Sequence, residues 1–154
     1  MATKRGPNIE YRDNSDLIVD ALEKAINEGL TAIGMTAEGH AKREITKLVY
    51  SRGNNEKKYR LTGRLRNSIT FAISGEKAHI SSYNDNDGNY YSYSGTAPND
   101  KEKAVYIGTN VEYGKHVELG TSKMAARPFL KPAATEHSEE YKRIMEAALK
   151  SADP

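Results

Sequence analysis

Tyr113-Gly114-Lys115-His116-Val117-Glu118-Leu119-Gly120-Thr121-Ser122-Lys123-Met124-Ala125-Ala126-Arg127-Pro128-Phe129-Leu130-Lys131-Pro132-Ala133 is the stretch that decides the fold of this chain. Tyr113 to Leu119 reads as a strand or a short helical turn, closed by Gly120, where a side chain would obstruct the backbone turn. Lys123 and Arg127, beside Ser122 and Met124, form a short basic loop. Pro128 pins an extended approach to Phe129, which plugs the core. Pro132 takes the first position of a final helix, where its missing N–H costs nothing. Gly120, Pro128, Phe129 and Pro132 are therefore the fold-setting residues. Lys123, Met124 and Arg127 are the exposed part, and an exposed methionine calls for a cover such as a neighbouring subunit. The segment holds no plausible catalytic set; it holds a shape and presents a loop.

The flanking sequence completes an α+β pattern. Residues 1–13 are polar, with Gly6 and Pro7, and read as a loose arm ahead of a single domain over 14–150. Asn14 or Ser15 caps a first helix whose inward face is Leu17, Ile18, Ala21, Leu22, Ala25 and Ile26. Gly29 ends it, Leu30 to Gly34 connects or continues it, and Thr36 caps a second helix with Ala37, Ala41, Ile45, Leu48 and Val49 inward. Leu65 to Ser74 alternates like a strand. It turns at Gly75-Glu76-Lys77 into a second strand, Ala78 to Ser82, giving an antiparallel hairpin. Residues 83–103 form a Tyr-rich insert, a long loop or extended hairpin carrying Tyr90, Tyr91 and Tyr93. Ala104 to Thr109 is a third strand. Phe129, Ala133, His137, Tyr141, Ile144, Met145, Ala148 and Leu149 line the final helix. The expected fold is thus two N-terminal helices and one C-terminal helix packed on a small antiparallel β-sheet.

Composition narrows the function classes. The 154 residues contain no cysteine, which removes disulfide scaffolds, thiolate metal sites and cysteine nucleophiles. The net charge of +2 does not suit a protein that coats nucleic acid. No apolar run approaches the roughly 20 residues of a membrane span, and the N-terminus lacks a signal-peptide core. Ten of the twelve aromatics are tyrosine, the aromatic suited to half-wet subunit contacts.

Few residues offer chemistry. His116 and Glu118 share a strand face but lack the further ligands a metal needs. His40 and Glu44, one helical turn apart, suit a weak surface pair. His79 and His137 have no evident partner. Asn84 to Gly88 resembles part of a calcium loop but lacks acids at its ends, so it reads as a turn. No phosphate loop or nucleophile elbow is present. Arg52, Lys57, Lys58, Arg60, Arg64 and Arg66, with Tyr59 among them, form a basic stretch that can contact DNA or an acidic partner.

Four segments occur in order: Thr62-Gly63-Arg64-Leu65-Arg66-Asn67-Ser68-Ile69, Val105-Tyr106-Ile107-Gly108-Thr109, Val117-Glu118-Leu119-Gly120-Thr121-Ser122-Lys123-Met124, and Arg127-Pro128-Phe129-Leu130-Lys131-Pro132-Ala133. In this the chain, from about Leu17 to Leu149, resembles the tail-component family of long-tailed bacteriophages (siphophages), also described as head–tail joining or tail-completion proteins. The resemblance implies an α+β subunit of a sixfold ring in the virion neck, made in the host bacterial cytoplasm. Its partners would be copies of itself, the head connector and the tail-tube or tail-terminator protein. Phage DNA would pass through the lumen without sequence-specific binding. No catalysis, cofactor, metal or membrane is implied. The chain departs from the family pattern at Gly114, where alanine is more usual, and in its longer insert. A closed ring needs two different adhesive faces on each subunit. The Tyr-rich insert and the Lys123–Arg127 loop are the candidates. A tail-terminator ring is the nearest competing reading, and a small basic nucleic-acid-binding module the competitor of another class.

Overall fold

A computed structural model describes residues 12–50 and 62–152. Most of the expected arm, and Arg52, Lys57, Lys58 and Arg60 of the basic stretch, lie outside the described residues.

The N-terminal region is one helix rather than two. Helix α1 runs unbroken over Ser15–Ile45, 31 residues and about 46 Å, and continues into a π-helical turn, Thr46–Tyr50. Its buried stripe is Ala25, Gly29, Leu30, Gly34, Ala37, Ala41 and Ile45, spaced three or four apart but for one adjacent pair. The glycines that read as breaks are contact points. A Cβ on Gly34 would lie 2.2 Å from the Phe71 ring, and one on Gly29 would lie 2.8 Å from the Met145 sulfur. Each glycine costs about 1 kcal/mol of helix propensity, offset here by close packing of the partner element. Thr36 caps nothing: its hydroxyl donates to the Ala32 carbonyl at 2.8 Å.

The first expected strand begins as a helix. Helix α2, Arg64–Ser68, buries Leu65, and Ile69 follows one turn later in the same core. Strand β1 is only Thr70–Ile73. It pairs antiparallel with β4, Val105–Gly108, from Thr70 opposite Gly108 to Ile73 opposite Val105. The expected hairpin with residues 78–82 is not a ladder. His79 N–H reaches the Phe71 carbonyl at 2.8 Å, and Ile80 N–H reaches Thr70 Oγ1 at 3.2 Å, so this segment only flanks β1. The insert carries its own hairpin, β2 (Ser82–Asn84) against β3 (Tyr90–Ser92).

Three short helices follow: α3 (Gly114–Leu119), α4 (Leu130–Thr135) and α5 (Ser138–Lys150). The expected final helix is thus split at Glu136–His137. Helix α5 lies along the middle of α1, with Glu140 at its start on His40 and Met145 and Ala148 against Gly29. The main core lies at the C-terminal end of α1, where Ile45 and Ala41 meet Leu65, Ile69, Val111, Phe129 and Ala133. The architecture is α+β, with no described helix long and apolar enough to cross a membrane.

Candidate functional site

The decisive stretch forms a clasp around a protruding loop. Tyr113 to Leu119 is helical, not a strand, because Gly114 enters the core. A Cβ there would lie 2.7 Å from the Thr109 methyl and 3.2 Å from Leu65, so this glycine tightens the element instead of loosening it. Gly120 ends α3 at φ +76°, where a Cβ would press on Ala126 N at 2.7 Å and the Met124 carbonyl at 3.0 Å. Thr121 and Met124 then bridge each other through the backbone, Thr121 N–H donating to Met124 O at 2.8 Å. Arg127 N–H returns to the Val117 carbonyl at 2.7 Å.

Glu118 closes the clasp. Its Oε2 accepts from Phe129 N at 2.7 Å and Leu130 N at 2.9 Å, and its Oε1 accepts from Lys131 N at 2.9 Å. These are the free donors at the start of α4. The next residue, Pro132, has no N–H to satisfy, so it fits the third helical position rather than the expected first. A carboxylate at a helix start is also favoured by the helix dipole. Phe129 is completely buried in the core. Residues 121–128 are thereby fixed at both ends. Lys123 and Pro128 are exposed, whereas Met124 and Arg127 are half-buried, less open than their sequence setting implies. Beside the loop, Leu119 stands 77% exposed. An open groove of about 890 Å³ runs along α3, bordered by Tyr113, Lys115, Leu119 and Leu130.

The Tyr-rich insert is bound to the body. Tyr83 and Tyr91 stack at 5.3 Å, and the Arg64 guanidinium lies 4.3 Å above the Tyr91 ring. Tyr83 Oη donates to Asn110 Oδ1 at 3.0 Å; Asn110 in turn donates to the Ser92 carbonyl, and Asn67 to that of Asn84. The hairpin turn is built on Asp85. Its Oδ1 accepts from Asp87 N and Asn89 N, both at 2.9 Å, and its Oδ2 from Asn89 Nδ2 at 2.9 Å and the Tyr91 hydroxyl at 3.2 Å. The Asn89 side-chain hydrogen bond, more than any other contact, holds this carboxyl below its ordinary range. Burial, reinforced by Asp85, pushes the Tyr91 phenol up. Of the insert's four tyrosines, Tyr83 is buried, Tyr91 and Tyr93 are half-buried and Tyr90 is 70% exposed. Of the basic stretch, Arg66 is exposed, while Arg64 is half-buried and stacked on tyrosine rather than open to phosphate.

A third cluster was not legible in the sequence. His40 on α1 and His137 before α5 stack ring on ring at 3.5 Å with planes 5° apart. Glu140 Oε2 lies 2.8 Å from His40 Nε2 and 3.7 Å from His137 Nδ1, and Arg43 reaches His40 Nδ1 at 2.9 Å. His40 thus pairs with Glu140, one hundred residues away, and Glu44 faces Lys47 instead. The three side chains have metal-ligand chemistry, but a metal binds imidazole in the ring plane, and no point lies in two parallel planes 3.5 Å apart. With Arg43 on the other His40 nitrogen, the cluster acts as a polar latch between α1 and α5.

No family model, curated protein or solved structure matches this chain.

Proposed function

We propose that this chain is a structural subunit of the neck of a long-tailed bacteriophage, joining the capsid connector to the tail as part of a sixfold ring. The observation that carries the proposal is the Glu118 clasp. The segments that resemble the tail-component family fold together here: Thr62–Ile69 supplies α2 and part of the core, Val105–Thr109 supplies β4, and Val117–Ala133 forms the clasp and the Phe129 plug. A loop held at both ends, flanked by an exposed leucine, is a surface prepared for a partner. Preorganisation of that kind lowers the entropy lost on association. In this reading the chain has no catalytic role, and DNA passes through the ring without base-specific contact.

The test is electron microscopy of particles produced without this chain. The proposal expects filled heads and tails of normal length that fail to join. Overlong tails would assign it to tail termination instead, and joined, infectious particles would overturn the proposal.

A further inference from the structure

Among the described residues, the first turns of α1 are uncovered. Leu17, Ile18, Val19 and Leu22 are 60%, 48%, 51% and 41% exposed, although Leu17, Ile18 and Leu22 have the spacing of a core-facing stripe. Helix α5 covers α1 near Gly29, and the core covers it from Gly34 to Ile45. From Arg12 to Lys24 the helix start carries four acids, Asp13, Asp16, Asp20 and Glu23, against the two bases at its ends.

The clasp at the other end of the molecule is the opposite in charge. Glu112 to Lys131 carries Lys115, Lys123, Arg127 and Lys131 against two acids, the exposed Glu112 and Glu118, whose carboxylate is already bound by three backbone N–H groups. Around these bases stand the exposed Leu119 and Tyr113 and the groove along α3. Helix α3 packs beside the core that holds Ile45, through Gly114 on Leu65 and Val117 at the core edge. Leu22 lies about 35 Å further along α1 from Ile45. The two surfaces therefore cannot meet within one chain.

We infer that the acidic apolar start of α1 docks on the apolar α3 groove and the basic 121–128 loop beside it on a second copy of this chain, forming a head-to-tail contact. Charge decides among occupants. Two α1 starts packed on each other would oppose acid to acid, and an anionic membrane would repel the same four acids. The clasp supplies the complementary bases and an apolar seat. Two distinct faces at opposite ends give a heterologous contact, the kind that closes into a ring. This inference rests on the proposed ring. It replaces the Tyr-rich insert with the α1 start as the face that meets the Lys123 loop.

The chain has no cysteine, so engineered pairs report cleanly. The full chain carrying both Leu22→Cys and Leu119→Cys should give, on mild oxidation, a ladder of cross-linked oligomers that disulfide reduction collapses. Each single variant should stay uncross-linked. Independently, Asp16→Lys with Asp20→Lys should raise the concentration for half-assembly by about tenfold, from two lost surface pairs. Lys115→Glu with Lys123→Glu should do the same, and all four changes together should restore assembly. All four positions are exposed, so the fold is not at stake. Dimers from Leu22→Cys alone would overturn the inference in favour of α1 self-pairing. A ring seen by native mass spectrometry without the double-cysteine ladder would overturn this contact and leave the ring standing. A chain that stays monomeric at all concentrations, and joins no ring on its viral neighbours, would overturn both.

Discussion

Replacing Glu118 by alanine tests the clasp at its centre. The substitution removes one carboxylate and leaves Phe129, Leu130 and Lys131 N–H without their acceptor. The Phe129 N–H is the worst placed, because its own side chain is fully buried and water has poor access. Loss of a helix-start cap costs about 0.5–2 kcal/mol, and a hydrogen bond to a charged acceptor is worth about 1.5–3. Lys131 N–H is exposed and regains water, so the bonds do not add. A loss of about 2–3 kcal/mol follows. For a domain of this length that lowers Tm by about 4–12 °C. Urea unfolding followed by circular dichroism measures the free energy. Amide exchange locates it: residues 129–131 should lose protection together, and the 121–128 loop should loosen with them. Glu118→Gln keeps one acceptor oxygen but turns an amide N–H₂ toward Lys131 N–H, so it should fall between the two. A Glu118→Ala protein with unchanged midpoint and full protection at 129–131 would show that the carboxylate does not hold the clasp.

Gly34→Ala gains about 1 kcal/mol of helix propensity but drives a methyl into the Phe71 ring, so net destabilisation of about 1–2 kcal/mol is expected; a raised urea midpoint would contradict it. Phe129→Ala empties the core centre and should cost about 3–5 kcal/mol, measured by the same titration, with a cost below 1 kcal/mol counting against its role as the plug. Because the folded Asp85 carboxyl is held below its ordinary 3.8, its stabilisation of the insert hairpin is complete above that pH and is lost as pH falls through the lower folded value. Amide protection at Asp87 and Asn89 should therefore be flat above about pH 5 and decline below about pH 4, and Asp85→Ala should abolish that dependence.

Local signals in the sequence carried much of the fold. Gly120 marked its turn, Phe129 its burial, Val105 to Gly108 its strand, and the 83–103 composition a hairpin insert. Misleading signals came from residues whose meaning depends on distant partners. Gly29 and Gly34 look like helix ends because glycine serves both breaks and close approaches, and only Met145 and Phe71 decide between these. Leu65 and Ile69 fit a strand by alternation and a helix by their four-residue spacing. The helix wins because α2 turns Leu65 and Ile69 into one core while Ser68 donates to the Leu65 carbonyl. The pairing of β1 with β4 spans the whole insert, whereas a nearby segment invites a hairpin by proximity alone. Glu118 caps a helix that starts twelve residues later, beyond the reach of a capping box, and was visible only as an acid near a histidine. The latch of His40, His137 and Glu140 had no sequence signal at all.

The proposed ring sits at the joint between head and tail. Cryo-electron microscopy of the neck of intact particles tests it most directly. The expected map shows a sixfold ring of this chain between connector and tail tube, with residues 121–128 of each copy seated against its neighbour. A neck map whose layers are all filled by other proteins would contradict it.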